Sequence, residues 1–184
     1  MKKVTPIRYL NSQDQEFRKD MKGKVCGIMC VAMILTTYRK DFGTIQDLID
    51  EGRNLDAYIP GIGWDHRGLV RVLDEYKIKA RRFDMKKRRL LRREPILEVG
   101  FENKIKNYID ERKVLIVSVD KGFSSNPSST HLIAVHGYGC DQNNEVTSWI
   151  ISDPSSLLSR REEISLGHFK KYFRGLGIVC FGEK

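Results

Sequence analysis

Hydrophobic positions in the first half of the chain recur with helical spacing. The segment CGIMCVAMILTTY is apolar over most of its length, which predicts a buried helix at 27–38. Thr44 follows a polar break and is a suitable N-cap for a second helix at 45–51. The same spacing is seen further along, at Leu69, Val70, Leu73 and Tyr76. A further helix is predicted at 101–111.

The second half of the chain shows strand patterns. The run KVLIVSVD at 113–120 is continuously apolar, which is typical of a buried strand. HLIAVHGYG at 131–139 and VTSWIISDP at 146–154 predict two strands joined by the turn CDQNNE, and GLGIVCF predicts a closing strand. Because helices come first and strands later, the expected fold class is α+β. The length of 184 residues suits one hydrophobic core, so we expect residues 1–184 to form a single domain.

Composition and charge limit the partners and the cellular location that we expect. The net charge of +9 favours an acidic partner, such as nucleic acid, a membrane surface or an acidic protein. The N-terminal segment MKKVTPIRYLNSQDQEF lacks the apolar core of a signal peptide. The longest apolar run, at 28–35, is too short to cross a bilayer. We therefore expect a cytoplasmic protein with no membrane span, and its four cysteines as reduced thiols.

The two late strands bring a histidine and a carboxylate into register. If the turn is centred near Gln142, His131 lies opposite Asp153 in an antiparallel hairpin, with Cβ atoms about 5 Å apart. A carboxylate beside an imidazole orients the ring and stabilises its protonated form. The same pairing places His136 opposite Ser148, which carries no charge. A slip of one residue in the turn would spoil this alignment.

Cys26 is the candidate nucleophile that such a pair requires. It lies at the predicted start of the first helix, where free N–H groups and the helix dipole lower the pKa of a thiol. A nearby histidine lowers that pKa further. Gly27 would allow a substrate to approach closely, and Cys30, one turn deeper, is interpreted as a core residue.

The order of cysteine, histidine and aspartate is the papain-like arrangement. The chain resembles papain-like cysteine peptidases of the double-glycine, bacteriocin-processing type, and especially their stand-alone relatives. The matching segments are IRYLNSQ, CGIMCVAMIL, HLIAVHGYG, SDP and REEISLGHFKKYFRGLGIVCF, in the order that the family has them. The resemblance implies a papain-like α+β fold, in which an N-terminal helical part packs its nucleophile helix on a C-terminal antiparallel sheet.

The resemblance also implies residue roles. Cys26 would be the nucleophile, His131 the general base and acid, and Asp153 the residue that orients His131. Family members have a glutamine upstream of the cysteine that donates to the oxyanion, which suggests Gln13 here and Gln15 as the alternative. This sequence departs from the tightest family pattern, because the residue six positions before the cysteine is an aspartate.

The implied activity is hydrolysis of a peptide or protein substrate through a thioester intermediate. The same site would be an acyltransferase if an amine replaced water. The alternative from another class is a catalytically inactive binding module, whose basic face holds nucleic acid or an acidic protein. That face would be residues 81–93, from Arg81 to Arg93, where eight of thirteen residues are Lys or Arg.

A metal site is the weaker interpretation of the early cysteines. Cys26 and Cys30 would need Cys140, Cys180 or a histidine to complete a zinc site, and no second closely spaced pair of such ligands is present. We therefore expect no metal and no cofactor. Cys26 as an ordinary core residue remains the alternative to a nucleophile.

Overall fold

The computed structural model describes residues 1–10, 12, 16, 18–21, 23–87, 96–120, 130–155 and 162–183. These residues contain five α-helices: α1 (Cys26–Thr37), α2 (Ile45–Asn54), α3 (His66–Glu75), α4 (Phe101–Asp110) and α5 (Leu166–Tyr172). The strands are β1 (Lys2–Val4), β2 (Tyr58–Ile59), β3 (Gly63–Trp64), β4 (Ile78–Asp84), β5 (Lys86–Lys87), β6 (Ile96–Leu97), β7 (Val114–Asp120), β8 (Thr130–Cys140), β9 (Val146–Ser152), β10 (Glu162–Ser165) and β11 (Phe173–Glu183).

The helix starts follow from local side chains. Thr44 caps α2 in a capping box, because its hydroxyl accepts from the backbone N–H of Asp47 and the Asp47 carboxylate accepts from the N–H of Thr44. Asp65 caps α3 by accepting from the N–H of Gly68 at 3.0 Å. The predicted second helix is confirmed, and it extends three residues further than the pattern indicated, to Asn54.

Seven strands form one antiparallel sheet within the described residues. Their order is β10, β9, β8, β7, β11 and β4, and β1 pairs with the far half of β8. The first hydrophobic core lies between one face of this sheet and helices α1, α2 and α3. The second core lies on the opposite face, under α4 and α5. Helix α1 is buried nearly all round, as a helix that is apolar on every side must be.

The predicted register of the β8–β9 hairpin is wrong. Cys140 pairs with Val146, because Asp141 organises a five-residue turn in which its N–H donates to the carbonyl of Glu145 at 3.0 Å. The turn is thus centred one residue later than Gln142. One register shift moves the middle of the ladder by a further residue, and a second, opposite shift cancels it before Ala134 pairs with Ser152. Ser148 consequently pairs with Gly139 and not with His136.

His131 is also not opposite Asp153 in the ladder. It pairs with Val119 of β7, and β9 ends one residue before Asp153. The Asp153 carboxylate contacts the His131 imidazole from the loop after β9. The contact is therefore not the cross-strand pair that the sequence predicted.

Candidate active site

Helix α1 begins at the cysteine that the sequence singled out. In the described part of the chain no side chain caps this end, since the N-cap residue is Val25. Cys26 therefore occupies the first helical position, where backbone N–H groups have no intrahelical partners. The indole N–H of Trp64 donates to the carbonyl of Lys24 at 2.6 Å and holds the chain just before the helix.

Gly27 serves packing rather than substrate approach. A Cβ atom at this position would lie 2.7 Å from side-chain atoms of Trp64 and 3.0 Å from Leu132. The glycine thus lets the Trp64 side chain and strand β8 close around the start of α1. The expectation that Gly27 leaves space for a substrate is wrong.

The imidazole of His131 is held by a carboxylate. Its Nε2 atom lies 2.8 Å from Oδ1 of Asp153, and the two side chains are only 6% and 16% exposed. Asp153 is held in turn, because its Oδ1 accepts from the N–H of Ser155 at 2.8 Å and from the Ser155 hydroxyl at 2.7 Å. The Tyr9 hydroxyl donates to the Asp153 carbonyl at 3.0 Å. With Nε2 engaged, Nδ1 is the ring nitrogen left for the thiol of Cys26.

Electrostatics at the site favour a charged pair. Burial is the largest effect on Cys26 and would raise its pKa, but hydrogen bonding and the charge of His131, with the N–H groups of Leu132 and Gly27, lower the pKa overall. Burial would also lower the pKa of His131, yet hydrogen bonds to Asp153 and Cys26 and their charges raise the pKa to about 9. The two shifts together favour a thiolate beside an imidazolium.

The other cysteines have a different environment. Cys30 and Cys180 are fully buried, and burial raises the pKa of both thiols. The Cys30 thiol donates to the carbonyl of Leu132 at 3.5 Å, which joins α1 to β8 beside the candidate site. Cys140 is 7% exposed and contacts the N-terminal residue. Within the described ranges, no group of three or more His, Cys, Asp or Glu side chains could hold a metal ion.

Cys26 and His131 lie on one cleft of about 450 Å³. Its other walls come from the β2–β3 hairpin, the start of α3, and the ends of β7 and β11. His66 lines this cleft, with its Nε2 atom 2.9 Å from the hydroxyl of Ser118. Burial and the charge of Arg82 lower the pKa of His66, which favours the neutral form of this second imidazole.

Sequence reasoning missed His66 and Ser118, because they are 52 residues apart and only the packing of α3 on the sheet joins them. It also missed Ser155, although a serine two residues after an aspartate often donates to that carboxylate. The predicted oxyanion donors, Gln13 and Gln15, lie outside the described residues. Asp20, which replaces the family glutamine, forms an ion pair with Arg53 at 2.9 Å and is not among the residues that line the cleft.

The described part of the basic stretch divides between two elements. Arg81 and Arg82 belong to the edge strand β4, and Lys86 and Lys87 form β5. Residues 88–93 lie outside the described ranges. No helix in the described part of the chain is long and apolar enough to span a membrane.

Helices packed on both faces of an antiparallel sheet make this an α+β fold, as predicted. No protein-family model and no curated protein sequence matches the chain. Solved structures do match, and among them are peptidase domains, one of them from a double-glycine-motif protease, which confirms the papain-like fold and the resemblance seen in the sequence. A double-glycine-motif protease from an AMS/PCAT transporter, solved with a leader peptide, has a TM-score of 0.61 at 12% identity, covering 97% of this chain and 94% of that one.

Two further matches are peptidase domains of transporters. The domain of Streptococcus ComA, a bifunctional ABC transporter involved in quorum sensing, has a TM-score of 0.59 at 18% identity, covering 94% of this chain and 98% of that one. The corresponding domain of Streptococcus mutans ComA has a TM-score of 0.51 at 16% identity, with the same coverage. At these identities the likeness establishes the fold.

Proposed function

We propose that the chain is a cysteine peptidase that cleaves a peptide or protein substrate, with residues 1–184 forming one catalytic domain. The observation that carries this proposal is the environment of His131. One ring nitrogen meets Asp153 at 2.8 Å, and the ring hydrogen-bonds to a thiol at the uncapped start of a helix. A positioned base, an orienting carboxylate and an activated thiol are the parts that nucleophilic catalysis requires.

The reaction follows from these parts. The Cys26 thiolate attacks the carbonyl carbon, and the resulting oxyanion is stabilised by the N–H of Cys26 and by Gln13 or Gln15. The His131 imidazolium donates its proton to the leaving amine, which leaves a thioester on the sulfur. Neutral His131 then takes a proton from water, whose oxygen attacks the thioester and releases the acid. This restores the Cys26 thiolate beside the His131 imidazolium. Asp153 keeps the ring oriented and stabilises its charged form throughout.

The substrate class is also a proposal. One protein of the same fold was solved with a leader peptide bound, and in this chain Cys26 and His131 line a cleft of about 450 Å³. Acyl transfer to an amine and binding of an acidic protein or nucleic acid through the basic stretch remain alternatives, and no observation on the described residues favours them. A cytoplasmic location likewise stays a prediction.

The test is the reactivity of the four thiols in the intact chain. Iodoacetamide at pH 6 should modify Cys26 at least tenfold faster than the buried Cys140, as measured by peptide mass spectrometry over time. The His131→Ala variant should lose most of this difference. Wild-type chain should also cleave peptides in a random library, and a Cys26→Ser variant should not, with Cys140→Ser as the matched control. Equal labelling of Cys26 and Cys140 would overturn the proposal.

A further inference from the structure

The end of the cleft beyond His131 carries a pair of cations. Among the described residues, the charged groups that line the cleft outside the catalytic pair are Lys24, Lys86, Arg174 and Asp65. The Asp65 carboxylate is already engaged in capping α3. The Lys24 ammonium donates to a backbone carbonyl of the preceding turn at 3.1 Å. Two cationic side chains, Lys86 and Arg174, therefore set the charge of this end of the cleft.

A bulge in β11 positions both cations. The pairing of β11 with β7 shifts register between Phe173 and Gly177, which is where Arg174 and Gly175 lie. Gly175 has a positive φ of 71°, and a Cβ atom there would lie 2.7 Å from Cγ of Lys86. The stem of Lys86 thus lies across the bulge, and only glycine leaves room for it in this conformation.

The two cations differ in how far they are already paired. Nε of Arg174 lies 3.1 Å from Oδ1 of Asp120, close enough for an ion pair although not aligned for a hydrogen bond. Its Nη1 donates to the hydroxyl of Thr130, the residue before the catalytic histidine. No described carboxylate forms an ion pair with Lys86. The cleft therefore retains an excess of positive charge at this end.

We propose that Lys86 and Arg174 form a subsite for an acidic side chain of the substrate. This inference rests on the proposed peptidase function and names the substrate class more closely. Guanidinium and ammonium groups at the mouth of a cleft bind carboxylates by charge-assisted hydrogen bonds. The subsite would select peptides with Asp or Glu over peptides with Lys or Arg at the same position.

The sheet geometry sets the register of that selection. Strand β11 is the second neighbour of β8, and β4, which leads into Lys86, is the third. Neighbouring strands lie about 4.8 Å apart, so the backbone of β11 is about 10 Å across the sheet from that of β8, and the Arg174 guanidinium reaches back over this distance to the hydroxyl of Thr130. An extended peptide advances about 3.3 Å per residue. The acidic residue therefore lies within about four positions of the bond that is cut.

The experiment uses uncharged random decapeptides with Glu, Gln or Lys fixed at one position. Wild-type chain is incubated with each mixture, and mass spectrometry identifies the cleaved bonds. Glu within about four positions of the cut should raise kcat/KM above that of Gln, and Lys should lower it. Lys86→Gln and Arg174→Gln should each reduce the preference by about fivefold. The matched control is Lys79→Gln, an exposed residue of β4 that does not line the cleft, and it should keep the preference.

A charge reversal distinguishes a direct contact from a structural role. Lys86→Glu should favour the peptides with Lys over those with Glu, which mere damage to the cleft would not produce. Cleavage without acidic preference, or a preference that Lys86→Gln and Arg174→Gln leave unchanged, would overturn the inference.

Binding separates the subsite from catalysis. Rhodamine-labelled mixtures with two Glu or two Lys residues are titrated with the Cys26→Ala chain, and binding is followed by fluorescence anisotropy. If wild-type chain cuts no peptide, the proposed function fails, while this measurement still decides the subsite. Tighter binding of the Glu mixture that is lost in Lys86→Gln supports it, and equal binding of both mixtures refutes it.

Discussion

Replacing Asp153 by asparagine tests the electrostatic basis of the site. The substitution keeps the shape of the side chain and removes its charge, 2.8 Å from Nε2 of His131. The rise of the His131 pKa from 6.5 to about 9 corresponds to about 3 kcal/mol in favour of the charged ring. The ring is 6% exposed, so solvent screens this interaction little. Because Asp153 is the largest of the stabilising influences, its loss should lower the His131 pKa by one to two units, roughly the effect of one close opposite charge.

The assay is proton NMR titration of the histidine ring signals, with the His131 signal assigned by its loss in His131→Gln. Wild-type chain should titrate at a pH near 9, and Asp153→Asn clearly lower. The thiolate absorbance at 240 nm should respond in the opposite sense, because a less stable imidazolium leaves the Cys26 thiol with a higher pKa. If the substitution moves the His131 titration midpoint by less than about 0.5 pH unit, which corresponds to about 0.7 kcal/mol, the reasoning is refuted.

The same pair predicts a pH dependence of stability. The raised pKa of His131 stabilises the fold fully below pH 6.5, and this contribution is lost as pH rises through about 9. The lowered pKa of Asp153 stabilises the fold above its ordinary value of 3.8 and is lost as pH falls below that. Asp153→Asn should therefore cost more unfolding free energy at pH 5.5 than at pH 10, as measured by urea denaturation. An equal cost at both pH values would contradict the charge pairing.

Three further substitutions follow from contacts of single side chains. Gly27→Ala should destabilise the chain by about 1–3 kcal/mol, because the added methyl group would overlap the Trp64 side chain. Thermal denaturation measures this loss, and an unchanged midpoint would show that the Trp64 side chain moves aside without cost. Ser155→Ala should slow alkylation of the nucleophile about threefold, because Asp153 loses a hydroxyl donor, an effect expected to vanish in the Asp153→Asn background. Thr44→Ala should cost about 1 kcal/mol through loss of the α2 cap, and alkylation rates of the folded chain should not change.

The sequence predicted the elements of the fold more securely than their exact pairing. Apolar runs identify α1, β7 and β8 because burial of a whole helix or strand depends on composition alone. The hairpin register depends on a turn in which the Asp141 carboxylate accepts from the backbone N–H groups of Asn143 and Glu145. The pattern of hydrophobic positions does not predict these hydrogen bonds. The sequence predicted the contact between His131 and Asp153 from a register that is wrong. The contact forms nevertheless, because Asp153 lies on the loop after β9 and this loop brings its carboxylate to the ring.

The cleft itself was harder to foresee. His66 and Ser118 come together only because α3 packs on the sheet, against β4 and β11, and no local spacing predicts such a contact. Lys86 belongs to the basic stretch at 81–93 that the sequence singled out, but Arg174 appeared as an ordinary basic residue. Their meeting at one cleft depends on a bulge in β11. Cys26 was accessible to prediction because a helix start is a local feature. Its mechanistic role, and those of His131 and Asp153, await the labelling experiment.

The contacts that assemble the site join distant parts of the chain. Tyr9 and Asp153 are 144 residues apart, and Cys30 meets the strand of the histidine across 102 residues. Contacts between residues this far apart in sequence form late in folding, because a long loop must lose its conformational entropy before the contact can stabilise the chain. During synthesis, a chain that has not yet extended beyond Asp153 has the thiol but not the groups that activate it. If the chain is the peptidase proposed above, proteolytic capacity arises only on completion of the sheet, and an unfinished or partly unfolded chain cleaves no neighbouring protein.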